Sequence, residues 1–190
     1  MPSERINPTR RQRLAGQLTF DVSMMCLNAA LALPSHPWRR LVLRRLAGAD
    51  VGRDVTIARG VRLTVRGGLR IGDRCIIERS LLDARGGLSI GADTNISPGV
   101  SVFTADHDPR APDFAGRTRE VVIGARSWIA SLAIVMPGAT LGEGVVVGVG
   151  AVVHGELPAW TIVAGNPARP IGARPSDAQQ RLAPHRRFFG

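Results

Sequence analysis

Lysine and tyrosine are both missing from this chain of 190 residues, so all 25 of its basic side chains are arginines, and aromatic residues reach only 4%. Readers of unpaired bases need aromatic platforms, and readers of duplexes gather their basic residues on one element. Here the arginines are scattered, which excludes nucleic acid as the expected partner despite a formal charge of +10. That charge remains compatible with an acidic substrate, an anionic membrane surface or a compositional bias of the source. The two cysteines, Cys26 and Cys75, have neither a disulfide framework nor metal-ligand spacing, so they read as small buried hydrophobes and nothing requires an oxidising compartment.

Long apolar runs are also missing. The longest helix candidate, Leu18 to Leu33, has sixteen residues and contains Asp21 and Asn28. A membrane span needs about 20 apolar residues, so this segment is expected to pack on the domain or to lie on a membrane surface. Export is disfavoured for the same reasons, although Arg10, Arg11 and Arg13 precede the run.

What is present is a six-residue period. From Val121 to Pro170, branched apolar residues recur at Ile123, Ile129, Val135, Leu141, Val147 and Val153. Six matches neither the 3.6 period of a helix nor the alternation of an ordinary strand, and so short a repeat means a solenoid. Three hexads make one triangular coil of eighteen residues, stacked on the next through parallel strands about 4.8 Å apart. The upstream chain repeats less regularly: Val51, Ile57, Leu63, a two-residue slip, then Ile71 and Ile77. Asp83 falls where the next apolar residue is due, Arg85-Gly86-Gly87 marks an irregular corner, and register returns at Ile90, Ile96 and Val102. Twenty-one positions then separate Val102 from Ile123, so a polar loop at 105–120 interrupts the coils. Polar insertions thrown out of a regular scaffold are where function is usually placed.

The expected organisation is an all-β solenoid of five to six coils at 49–170, with N-terminal α-helices and a protruding loop. A flexible arm occupies 1–17. A helical cap at 18–48 covers the first coil, whose strand edges would otherwise stand open. Its second helix follows Pro34 and Pro37 and turns Trp38, Leu41, Val42 and Leu46 to one side. The tail, 171–190, is expected as a short helix or irregular chain with its apolar residues on the last coil.

Ile123-Gly124 with Trp128-Ile129-Ala130, the run Thr140-Leu141-Gly142-Glu143-Gly144, Val146 to Val153, and Ile162-Val163-Ala164-Gly165-Asn166-Pro167-Ala168-Arg169-Pro170 together resemble the hexapeptide-repeat acyltransferases. Trp38-Arg39-Arg40 and Leu46 to Gly52 are similar to the colanic-acid-type branch. The resemblance covers about Trp38 to Pro170. It implies a left-handed parallel β-helix, a homotrimer with active sites between subunits, and acetyl-coenzyme A as donor for O-acetylation of a sugar or glycan acceptor, with no metal required. A cytoplasmic location follows, with 18–48 free to touch the inner face of the membrane.

By the same resemblance His107, in Thr104-Ala105-Asp106-His107-Asp108-Pro109, matches the loop histidine that acts as general base. A neutral imidazole suits removal of a proton from an acceptor hydroxyl near pH 7. Asp106 or Asp108 is expected to orient the ring; neighbours on an extended chain point apart, so only one of them reaches it. Asp83 is the alternative carboxylate. Leu82-Asp83 matches a dipeptide of galactoside-acetylating relatives, and Glu78 stands where those have an asparagine that assists the acceptor. Glu78, Asp83 and Asp108 are therefore the candidate acceptor contacts. Trp128, Ser131, Gly148 and Val149 match the coenzyme A path. Arg169 and Arg174 replace a phosphate-binding lysine that relatives carry where this chain has His154-Gly155-Glu156. Two other readings use the same fold: a trimeric binding scaffold without catalysis, and a zinc hydrolase with three histidines. Only His36, His107, His154 and His185 are present for the latter, two of them outside the coils.

Overall fold

A computed structural model describes residues 10–33, 35–65 and 67–183. Three parallel sheets form the faces of a prism. The first face aligns Val51, Ile71, Ile90, Ile123, Leu141 and Leu157. The second aligns Ile57, Ile77, Ile96, Ile129, Val147 and Val163. The third aligns Leu63, Leu82, Val102, Val135 and Val153. Among the described residues this is a parallel β-solenoid of five complete turns and two faces of a sixth. The three columns form one core, buried except for the half-buried Leu157, each buried side chain worth about 1.5–3 kcal/mol.

Leu82, not Asp83, occupies the core column at the irregular coil. The step from Ile77 is five residues instead of six, and Arg85-Gly86-Gly87 takes up the slack before Ile90. Close coil spacing explains the glycines where the first face turns into the second. A Cβ on Gly91 would lie 2.3 Å from the backbone nitrogen of Ala125 in the next coil, so no larger residue fits there.

The first helix, α1 (Arg10–Leu31), begins eight residues before the expected start, so the flexible arm is shortened and its remainder, 1–9, lies outside the described residues. After Pro8 the sequence RRQRLAGQ contains good helix formers and no further proline, and nothing stops the helix from extending towards its N-terminus. The break expected at Pro34 also lies outside the described residues. The second helix, α2 (His36–Arg45), is capped by Ser35 and carries Pro37 in its first turn.

The expected buried face of α2 is corrected. Arg39, Val42 and Leu43 are buried, whereas Trp38, Leu41 and Leu46 are exposed. Arginine goes inward because the open end of a solenoid presents unpaired strand groups that need donors. Arg39 donates to Ile57 O on the second face at 2.6 Å, and Arg44 donates to Val51 O on the first at 2.6 Å. On the third face the Asn28 amide both accepts from Leu63 N–H at 2.8 Å and donates to Leu63 O at 2.9 Å. The helical cap thus closes all three faces with polar side chains, and on the second His36 Nδ1 joins Arg39 at Ile57 O, 2.8 Å away.

The far end is closed by Arg169–Ala173, which runs antiparallel to Thr161–Ala164 after a turn containing a cis Asn166–Pro167 bond. The strand carries the β-structure past the expected boundary at 170. The chain beyond it, as far as residue 183, forms no further helix. It runs back along the second face, where Gln180 and Leu182 bond to Asp93 in the third coil. Residues 184–190 lie outside the described residues.

Candidate functional site

The insertion at 105–120 is a hairpin ribbon, not an irregular loop: Ala105–His107 pairs antiparallel with Gly116–Thr118. It leaves the solenoid at the edge where the third face meets the first. Thr104 and Arg119 pair at its base through an N–H to carbonyl bond of 2.8 Å. That base sits on Gly86, where a Cβ would come within 2.7 Å of Thr104 O. The irregular Arg85-Gly86-Gly87 corner is therefore the seat of the ribbon.

His107 is exposed on the ribbon, and its Nδ1 is 2.7 Å from Phe114 O. A carbonyl only accepts, so Nδ1 carries the proton and Nε2 presents a lone pair. The Phe114 ring stacks on the imidazole, centroids 4.5 Å apart and planes 9° apart. Phe114 holds this place with a left-handed backbone, φ 46°, at the ribbon tip. No sequence motif marks it; a lone aromatic within a polar insertion was the available signal.

The carboxylates expected to orient the ring are turned elsewhere. Asp106 accepts from Arg117 at 2.6 Å and Arg119 at 2.8 Å, and Asp108 accepts from Arg117 at 2.9 Å. Extended backbone places Asp106 and His107 on opposite sides of the ribbon, and the arginines of the returning strand capture the acid side. These bonds hold Asp106 below the usual carboxylate range, the Arg117 hydrogen bond being the largest cause. Around His107 the ribbon and solenoid enclose a cleft of about 240 Å³, lined also by Arg85, Asp106, Arg117 and Thr118. Arg85 had looked like part of a corner and nothing more.

Asp83 is buried and does not line this cleft. Both its oxygens take Arg85 side-chain donors at 2.9 Å, and backbone N–H groups of Arg85 and Thr104 complete the shell. Burial would raise its pKa, but these donors outweigh burial and hold it below the ordinary value. Its role in the structure is to position Arg85 and the ribbon base. A carboxylate with a depressed folded pKa stabilises the native state above its unfolded value, and that contribution is lost as pH falls through the folded value. Asp83→Asn is therefore expected to lower stability at pH 7 by about 1–3 kcal/mol, with the gap to the native protein narrowing below about pH 4. Denaturant unfolding at both pH values measures this.

Glu78 lies at the edge between second and third faces, away from the ribbon's edge, so the chain does not bring it to His107. The remaining candidates gather on the second face. Trp128 is 46% exposed and donates Nε1–H to Ser97 Oγ at 3.0 Å. With Val146, Ile162 and Arg174 it lines an open cleft of about 510 Å³, bordered by Gln180 and Leu182 of the returning tail. Arg174 donates to Arg126 O and Gln180 Oε1, and both Arg174 and Arg126 lie over Trp160. Ser131, Gly148 and Val149 form the adjoining edge of coils four and five, where Leu132 and Val149 expose apolar surface. Arg169 is on the antiparallel end strand, donates to Ala168 O and does not line the cleft.

The two groups lie on opposite sides of the prism, because the edge between the third and first faces is opposite the second face. One chain does not bring His107 and Trp128 together. Among the described residues no three His, Cys, Asp or Glu side chains are gathered as a metal site, and no helix is long and apolar enough to cross a membrane.

Residues 120–155 match the bacterial transferase hexapeptide model (six repeats). The chain is 36% identical over 140 residues to WcaF of Escherichia coli (strain K12), which carries the name of a colanic acid biosynthesis acetyltransferase; the match covers 73% of this chain and 76% of that one. A hexapeptide-repeat acetyltransferase from Vibrio cholerae O1 biovar eltor, solved with acetyl-coenzyme A, superposes with TM-score 0.76 at 22% identity, over 84% of this chain and 89% of that one. A maltose O-acetyltransferase from Clostridium difficile 630 superposes with TM-score 0.72 at 25% identity, over 85% and 87%.

Proposed function

Because the chain belongs to the hexapeptide-repeat acetyltransferases, we propose that it moves an acetyl group from acetyl-coenzyme A to a hydroxyl of a sugar or glycan acceptor, with His107 as general base. The observation that carries this reading is the tautomer of His107. With Nδ1–H engaged by Phe114 O, Nε2 is the free proton acceptor on an exposed ribbon. Nε2 takes the hydroxyl proton as the acceptor oxygen attacks the thioester carbonyl. The C–S bond then breaks, and the imidazolium returns its proton to the departing thiolate. The balanced charges of Arg85, Arg117, Arg119, Asp83, Asp106 and Asp108 suit a neutral, hydroxyl-rich acceptor better than an ionic one, with Arg85 and Arg117 offering donors at the cleft.

The second-face cleft fits the donor. Trp128, Val146 and Ile162 offer apolar surface to a pantetheine arm, the open backbone at Val149 lies beside it, and Arg174 brings positive charge for phosphates. Since base and cleft are on opposite sides of one prism, the working site joins the ribbon of one copy to the second face of another. A homotrimer supplies three such junctions. A cytoplasmic location is part of this reading, and use of coenzyme A supports it.

Thiol release from acetyl-coenzyme A over a panel of sugars, nucleotide sugars and oligosaccharides tests the reading; release with no acceptor dependence overturns it. Trp128→Ala is expected to weaken coenzyme A binding by about tenfold or more, measured by calorimetry, with the melting temperature little changed. Unchanged affinity moves the donor off the second face.

A further inference from the structure

Among the described residues thirteen large hydrophobic side chains are exposed, and eight of them lie between Leu14 and Leu46. They are not scattered within that stretch. Leu14, Leu18, Val22 and Met25 follow at steps of four, four and three, one stripe along α1. Leu27 and Leu31 are buried against the domain. Trp38 and Leu41 add to the apolar surface from α2, and the Trp38 indole N–H is tied to Ala30 O at the end of α1. A half-exposed tryptophan with a bonded N–H suits a boundary between apolar and wet surroundings.

The charge of this region is one-sided. Residues 10–49 contain seven arginines and one acid, Asp21. Beside Leu41, α2 and the first corner of the solenoid enclose an open cleft of about 450 Å³ lined by Arg40, Arg44, Arg53 and Asp54. Arg53 shares its charge with Asp73 at 3.2 Å, while Arg44 spends donors on the carbonyls of Val51 and Gly52 and keeps its charge. The cleft thus has three guanidinium groups against Asp54 and the shared Asp73. A long apolar stripe on α1 and an arginine-lined recess beside α2 give one helical cap the two properties of segments that lie in a bilayer interface.

We infer that the N-terminal cap is a docking face for an anionic membrane: α1 lies in the plane of the surface with its stripe at the boundary between headgroups and acyl chains, and the Arg40–Arg44–Arg53 recess takes anionic headgroups. Among the described residues no helix is long and apolar enough to span a bilayer, and the attachment inferred is peripheral and salt-sensitive. This surface is separate from the ribbon and the second-face cleft, and its test does not depend on any acceptor.

The test is vesicle co-sedimentation of the full chain, with phosphatidylcholine vesicles alone and with about 30% phosphatidylglycerol, at low and high salt. The native protein should bind the anionic vesicles and be released by salt. Leu18→Asp with Met25→Asp, and separately Arg40→Glu, should each weaken binding by about tenfold or more. These positions are surface ones, and an unchanged melting temperature shows the variants are folded. Failure of the native protein to bind anionic vesicles overturns the inference, as does unchanged binding by the double variant. If the double variant alters self-association in sedimentation and keeps its vesicle binding, the stripe joins copies of the chain and the inference fails. Full competition by soluble glycerol phosphate likewise replaces the membrane by a free phosphate ligand.

Discussion

His107→Ala is expected to lower kcat for acetyl transfer by about 10²- to 10⁴-fold while acetyl-coenzyme A binding is retained. The size of the loss follows from what the ring does. A sugar hydroxyl is a weak nucleophile at neutral pH, and only a positioned base removes its proton as the new C–O bond forms. Nε2 is the one nitrogen of the ring free for that task, since Nδ1–H is held by Phe114 O. Binding should survive because the ribbon's His107 cleft and the Trp128 cleft are separately built. His107→Gln retains an acceptor atom but no base, so it should be nearly as impaired as the alanine variant. A milder loss of kcat, with coenzyme A affinity unchanged, is expected from Phe114→Ala, which keeps the carbonyl and removes the stacked ring. Single-turnover measurements at saturating donor separate the chemical step from binding. Loss confined to KM, or activity within a few-fold of native, removes His107 from the role of base.

Arg39→Ala is expected to destabilise the chain by about 3–5 kcal/mol, the largest effect of any substitution in the helical cap. Arg39 is fully buried, and burial holds its pKa below the ordinary guanidinium value, with the neighbouring charge of Arg59 second. Its donors reach Leu31 O, Leu33 O and Ile57 O. The first two end α1 and the third is the open edge of the second face. Truncation leaves buried carbonyls without these donors and opens a cavity in the same place. Arg39→Lys, which offers fewer donors in a different geometry, should recover only part of the loss. Denaturant unfolding gives the magnitude. A cost below about 1 kcal/mol would show that the solenoid end tolerates an uncapped edge.

Residue types marked the region that holds His107, and distances changed which groups meet there. A histidine between two aspartates at the mouth of a polar insertion was readable, because such an insertion interrupts an otherwise strict repeat. Its orienting partner was not, because that partner is a backbone carbonyl, and every residue has one. Asp106 and Asp108 looked like the natural partners until Arg117 and Arg119 came back along the ribbon to take them. Asp83 looked like a gap in the core column, and the coil instead shortens by one residue to keep Leu82 there. In the helical cap, the case against an export signal rested partly on Asn28, whose use emerged only with the coils in place: it pairs both backbone groups of Leu63.

The repeat alone determined the solenoid, its number of coils, the place of the insertion and the need for a cap. A six-residue apolar period buries its side chains in one way, and that constraint is local, repeated and written in residue types. Tertiary structure decided which carboxylates meet arginines, which nitrogen of His107 is free, and that His107 and the Trp128 cleft stand on opposite sides of the prism. Those outcomes depend on hydrogen-bond geometry between segments far apart in the chain, where a shift of about 1 Å exchanges one partner for another.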